Sequence, residues 1–110
     1  MIGIQHAADD SGFTIKIRGH AGTVRAGADP VCAAVSMLAY TLASVVAACC
    51  KDAQSRLEPG DAEIVCRFSE GDDATRARHA YEMALTGFAL LQRHTPHAVE
   101  IFAGDESFAG

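Results

Sequence analysis

Apolar Phe13, Ile15 and Ile17 alternate with polar Thr14, Lys16 and Arg18, the two-residue period of a strand buried on one face. Ile2 and Ile4 give the opening residues the same period, and Asp9-Asp10-Ser11-Gly12 between the two runs predicts a hairpin turn. The period then lengthens. Val31, Val35, Leu38, Leu42 and Val45 recur at helical spacing and are expected to face the sheet, in a helix ending near Cys50. Asp29 reads as its N-cap and Pro30 as its first helical residue. Residues 51–60 read as a polar connection closed by Glu58-Pro59-Gly60. Over 62–68, Ile64, Cys66 and Phe68 restore the strand period. A second helix opens with Asp72 or Asp73 as cap and carries Ala77, Tyr81, Ala84, Leu85, Phe88 and Leu91 on one face. Thr95-Pro96 stops it. Residues 98–103 give a last strand, and the tail beyond is expected to fray.

The order is β-β-α-β-α-β, and 110 residues make a single domain spanning 1–110. The expected fold class is α/β in the two-layer α+β sense, a four-stranded mixed sheet with two helices packed on one face. A domain of this size buries roughly 65% of its unfolded surface, so its core is thin. Alanine-rich packing of that kind tends to leave an apolar face for a partner, which suggests a homodimer.

Charge narrows the partners. The formal net charge is −5, which disfavours direct nucleic-acid binding through a basic face and suits a basic peptide or protein. The cysteines are Cys32, Cys49, Cys50 and Cys66. They form no CxxC pair, so no metal is expected. The early Asp9 and Asp10 do not suit a signal peptide. Reduced thiols and a cytoplasmic location are the expectation, with Cys49, Cys50 and Cys66 as packing residues. Residues 31–50 carry no charge and match a spanning helix in length. Ser36, Tyr40, Thr41 and Ser44 interrupt the run, however, and alanine supplies much of it, so a buried helix is expected rather than a membrane span.

Candidate chemistry gathers at the start of the first helix. Cys32 falls in its first turn, where unpaired backbone N–H groups and the helix dipole favour a thiolate. Those N–H groups are also candidate donors to a carbonyl oxygen turning negative. His20 ends a strand twelve positions upstream and is placed to act as general base and then acid. Ser36 stands one turn after Cys32 on the same face. Asp29 either opposes the thiolate or holds His20 as an imidazolium. Each residue also has a plainer reading: cysteine as a small core residue, serine bonded to its own helix backbone, histidine at a solvated strand end. His6, His79, His94 and His97 are read as solvated, and Arg76, Arg78 and Arg93 as the wet face of the second helix.

Gly19-His20-Ala21, then a glycine-bearing loop, then Asp29-x-Val31-Cys32-Ala33-x-x-Ser36 resembles the signature of the ribosomal-processing cysteine protease family, Prp. The resemblance extends to chain length and element order. It implies a cytoplasmic, homodimeric cysteine endopeptidase without a cofactor. The implied reaction removes the N-terminal extension of large-subunit ribosomal protein number twenty-seven from its precursor. Within that family pattern His20 and Cys32 are the catalytic dyad. Asp29, Ser36, Gly22 and Ala33 take substrate-binding or orienting positions, and 22–28 matches a mobile, substrate-gating loop. Pro30 departs from the family's usual aliphatic residue but suits a first helical position. The rival reading is a non-catalytic ribosome-associated binding module of the same fold.

Overall fold

The computed structural model describes residues 1–19, 29–50, 52–69 and 71–104. His20, Gly22, the 21–28 loop, Lys51 and the 105–110 tail lie outside them. The elements are β1 (Ile2–Asp9), β2 (Gly12–Gly19), α1 (Pro30–Cys49), β3 (Asp52–Glu58), β4 (Asp61–Arg67), α2 (Asp72–His94) and β5 (Val99–Ala103). The sheet runs β3-β4-β2-β1-β5. Its β1–β5 pair is parallel and the others are antiparallel, so the sheet is mixed.

The alternation at 13–17 works because register repeats it on the neighbours. Ile17 lies opposite Ile4, Ile15 opposite Ile64 and Phe13 opposite Cys66. One apolar stripe therefore crosses three strands, and it forms a single core with residues of both helices. From α1 the core takes Val35, Ala39, Leu42, Ala43, Val46 and Cys49. Val31, Leu38 and Val45, expected to face the sheet, are partly buried and packed against this core. Leu38 turns toward α2, where a Cβ on Gly87 would stand 2.8 Å from both Leu38 methyls. Glycine there lets the two helices approach.

Five expectations need correction. The sheet has five strands, because the stretch read as a polar connection holds β3. That strand is an edge in which Ala53 and Leu57 alone are half-buried, so it shows no strong alternation. Cys50 and Cys66 are joined as a disulfide with Cα atoms 6.6 Å apart, leaving Cys32 and Cys49 free. The α2 N-cap is Gly71 at φ 76°, with Asp72 and Asp73 inside the first turn. His6 is part-buried, with Nδ1 3.2 Å from the Tyr81 hydroxyl. Arg78, read as wet, lies over the Phe68 ring at 4.6 Å, a cation–π contact. By length and composition α1 would suffice to cross a membrane, yet here one of its faces supplies the core.

Candidate active site

The first turn of α1 is built around Asp29. Pro30 has no N–H to satisfy, and its fixed φ suits the helix start. Asp29 keeps an extended backbone (φ −84°, ψ 117°). Its Oδ1 accepts from the Val31 N–H at 2.8 Å and from the Cys32 N–H at 3.3 Å. The Ala33 N–H donates to the Asp29 carbonyl at 3.0 Å, starting the helical ladder. Asp29 is 4% exposed, the one buried charged residue among the described residues. Burying a carboxylate is costly unless it is hydrogen-bonded, and the helix end supplies those bonds.

This arrangement corrects the expectation of free oxyanion donors. The N–H groups of Val31, Cys32 and Ala33 all have acceptors in this structure. Asp29 is the N-cap expected from sequence, and as that cap it occupies the Val31 and Cys32 donors that were also expected to face an oxyanion.

Cys32 is part-exposed and lines a cavity of about 500 Å³ with Asp29, Ala33 and Ser36. Four predicted site residues therefore meet at one place. His20 and Gly22 lie outside the described residues. Gly19, the residue before His20, lines the same cavity. Its φ is 96°, its N–H bonds the Gly60 carbonyl at 3.0 Å, and an added Cβ would collide with the Met1 carbonyl. Only glycine takes this turn without strain, so β2 ends at a fixed point on the cavity wall.

The opposite wall was missed. Leu57, Glu58, Pro59, Gly60, Asp61 and Ala62, from the β3–β4 hairpin, line the cavity with Tyr40 of α1. The available signal was Leu57, a single large apolar residue inside a polar run, followed by a Pro-Gly turn. Asp61 anchors this wall. It is hydrogen-bonded to Arg56 and pairs with Arg18 of β2 at 3.6 Å. The Arg56 guanidinium holds the Asp61 carboxyl below the usual carboxylate range, aided by the charge of Arg18. Among the described residues no three His, Cys, Asp or Glu side chains gather as a metal site would need. A second cavity, of about 670 Å³ and lined by His6, Tyr81 and Arg67 among others, contains none of the predicted site residues.

The model of the cysteine protease Prp family matches residues 1–100. This chain belongs to that family. The Prp fold recurs in solved structures. A structure of the essential ribosomal processing protease Prp from S. aureus, in complex with a covalently linked product peptide, superposes with a TM-score of 0.77 at 15% identity. The match covers 94% of this chain and 100% of that one. The same S. aureus Prp with a substrate peptide gives 0.74 at 14% identity, with the same two coverages. SMU.848 from Streptococcus mutans gives 0.69 at 25% identity, over 94% of this chain and 93% of that one. No curated protein matches the chain. The α+β architecture expected from sequence is thus a Prp fold, with the fifth strand added.

Proposed function

We propose that this Prp family member is a cysteine endopeptidase that removes the N-terminal extension of a large-subunit ribosomal protein, number twenty-seven, during ribosome maturation. The observation that carries the reading is the position of Cys32. It is a part-exposed thiol in the first turn of a 20-residue helix, opening into a cavity that also meets the end of the strand preceding His20. The S. aureus Prp structures, one with a substrate peptide and one with a covalently linked product peptide, support a peptide substrate and a covalent step.

In this mechanism His20 takes the Cys32 proton, and the thiolate attacks the scissile carbonyl. The oxygen becomes negative, and the Cys32 N–H turns from Asp29 to meet it. The imidazolium gives its proton to the leaving amine, and an acyl-thioester remains on Cys32. Water, deprotonated by His20, releases the acid and restores the thiol. Ser36 and Ala33 line the groove beside the substrate backbone, Gly22 takes a substrate-binding position in the loop, and Asp29 fixes the helix end. No cofactor enters. The protein works in the cytoplasm as a homodimer. The exposed side of α1, with Met37 64% accessible and no charge along the helix, supports a partner surface of that kind.

The test is cleavage of a precursor peptide by wild type, Cys32→Ala and His20→Ala. Both variants should keep the fold and lose cleavage. Iodoacetamide should modify Cys32 first, because Cys49 is buried and the other two cysteines are paired. Wild-type cleavage by Cys32→Ala would overturn the assignment. Binding of the precursor by wild type without any shortening of it would favour the non-catalytic module.

A further inference from the structure

The Cys50–Cys66 pair plays no part in the chemistry above, yet it joins the elements that form the two sides of the groove. Cys50 is the C-cap of α1, and its N–H bonds the Val46 carbonyl at 2.8 Å. Cys66 lies in β4, opposite Ala53 of β3 and Phe13 of β2. Cys32, Ser36 and Tyr40 sit toward the other end of α1, and the β3–β4 turn faces them across the cavity. The bridge spans 16 residues of sequence, and that span contains all of β3 and the turn. β3 is an edge strand with little of itself buried. Without the bridge it is held by its ladder to β4 and by packing against α1.

From this placement we infer that Cys50–Cys66 is a reversible redox latch that stiffens the groove wall opposite Cys32. The inference deepens the reading of that groove as a peptide site. The Cα separation of 6.6 Å falls within the range that a bridge spans without backbone movement, so both redox states share one fold. Cys50 is half-buried while Cys66 is 1% exposed, which makes Cys50 the sulfur that exchanges with solution. In closing, the Cys50 thiolate attacks a small-molecule disulfide and expels one thiolate. The Cys66 thiolate then displaces the second at the Cys50 sulfur. The small disulfide is reduced to two thiols, and the protein loses two electrons and two protons. A dithiol reverses both steps. Disulfides in a reducing compartment are commonly transient and redox-sensing, and this one sits where such sensing would reach the groove.

The experiment uses full-length Cys32→Ala, so that the candidate nucleophile cannot take part. The protein is equilibrated with oxidised glutathione or with dithiothreitol, then followed by peptide mapping and amide hydrogen exchange. The oxidised sample should yield a peptide crosslinked through Cys50 and Cys66. Amides of 52–62 should exchange at least about fivefold more slowly in it than in the reduced sample. Cys50→Ser in the same background should remove that difference. A missing crosslink, a crosslink through Cys49, or equal exchange in both samples would overturn the latch. Cleavage is not measured, so the result is independent of whether Cys32 is the nucleophile.

Discussion

Asp29→Ala removes the acceptor of two cap bonds, from the Val31 N–H at 2.8 Å and the Cys32 N–H at 3.3 Å. Loss of an N-cap side chain costs about 0.5–2 kcal/mol. Burial places this cap in the upper half of that range. The site is 4% exposed, so water cannot readily replace the carboxylate, and the orphaned donors keep their desolvation cost. We expect a loss of about 1–2 kcal/mol, or roughly 5–10 °C in Tm for a domain near this size. Asn caps as well as Asp, so Asp29→Asn should recover most of the loss. Urea and thermal unfolding of the three proteins measure it. A loss under about 0.3 kcal/mol in Asp29→Ala, where a surface substitution would fall, refutes the claim that this carboxylate organises the helix mouth. An equal loss in Asn and Ala would show that the charge matters and the capping geometry does not.

Burial pushes the His6 imidazole below its ordinary pKa of 6.5. Below that pH the unfolded chain binds a proton that the folded chain refuses, so stability falls as pH drops through the lower folded value and then levels. Unfolding of wild type against His6→Gln between pH 7.5 and about 5 should show this slope in wild type alone, and parallel curves would refute it. Gly12→Ala should destabilise by about 2–3 kcal/mol, because a Cβ there would collide with the carbonyl oxygen of Cys66, a backbone atom that cannot swing aside. A wild-type urea midpoint for that variant would mean the β2–β4 approach is looser than drawn.

Residues differed in how far sequence revealed them, and burial explains why. β2 was legible because one face is buried and the other wet, and that asymmetry imposes alternation on the composition. β3 was not, since Asp52, Gln54, Ser55, Arg56 and Glu58 are all exposed. Its strand character comes from the β4 ladder, a tertiary fact. The wall that β3 and its turn give to the groove went unread for the same reason. Asp29, Cys32, Ala33 and Ser36 were legible because helix-end chemistry is local: a cap, a proline and a one-turn spacing need no knowledge of the rest of the chain. The disulfide was illegible. Cys50 and Cys66 carry no paired spacing in the sequence and read as packing thiols, whereas pairing depends on Cα proximity, which β4 supplies only after the sheet forms.

The occupied donors at the helix mouth fit the mechanism proposed above once magnitudes are compared. Pro30 removes one N–H, and the Ala33 N–H is committed to the Asp29 carbonyl. The Val31 and Cys32 N–H groups share a single carboxylate oxygen, with the Cys32 bond longer by half an ångström (2.8 Å against 3.3 Å). A hydrogen bond to a charged group contributes about 1.5–3 kcal/mol, and at this length the Cys32 bond falls at the low end, about 1.5 kcal/mol. An oxyanion-hole donor is worth about 3 kcal/mol at the moment charge develops on the carbonyl oxygen. A neutral substrate carbonyl offers less than the carboxylate does, so the donor stays with Asp29 while substrate binds. Exchange becomes favourable, by about 1.5 kcal/mol, only as the oxygen turns negative. In the mechanism proposed above, the cap that stabilises the helix end also withholds the Cys32 N–H from the ground state. Its contribution is then confined to the transition state, where it raises the rate of the chemical step rather than the affinity for the peptide.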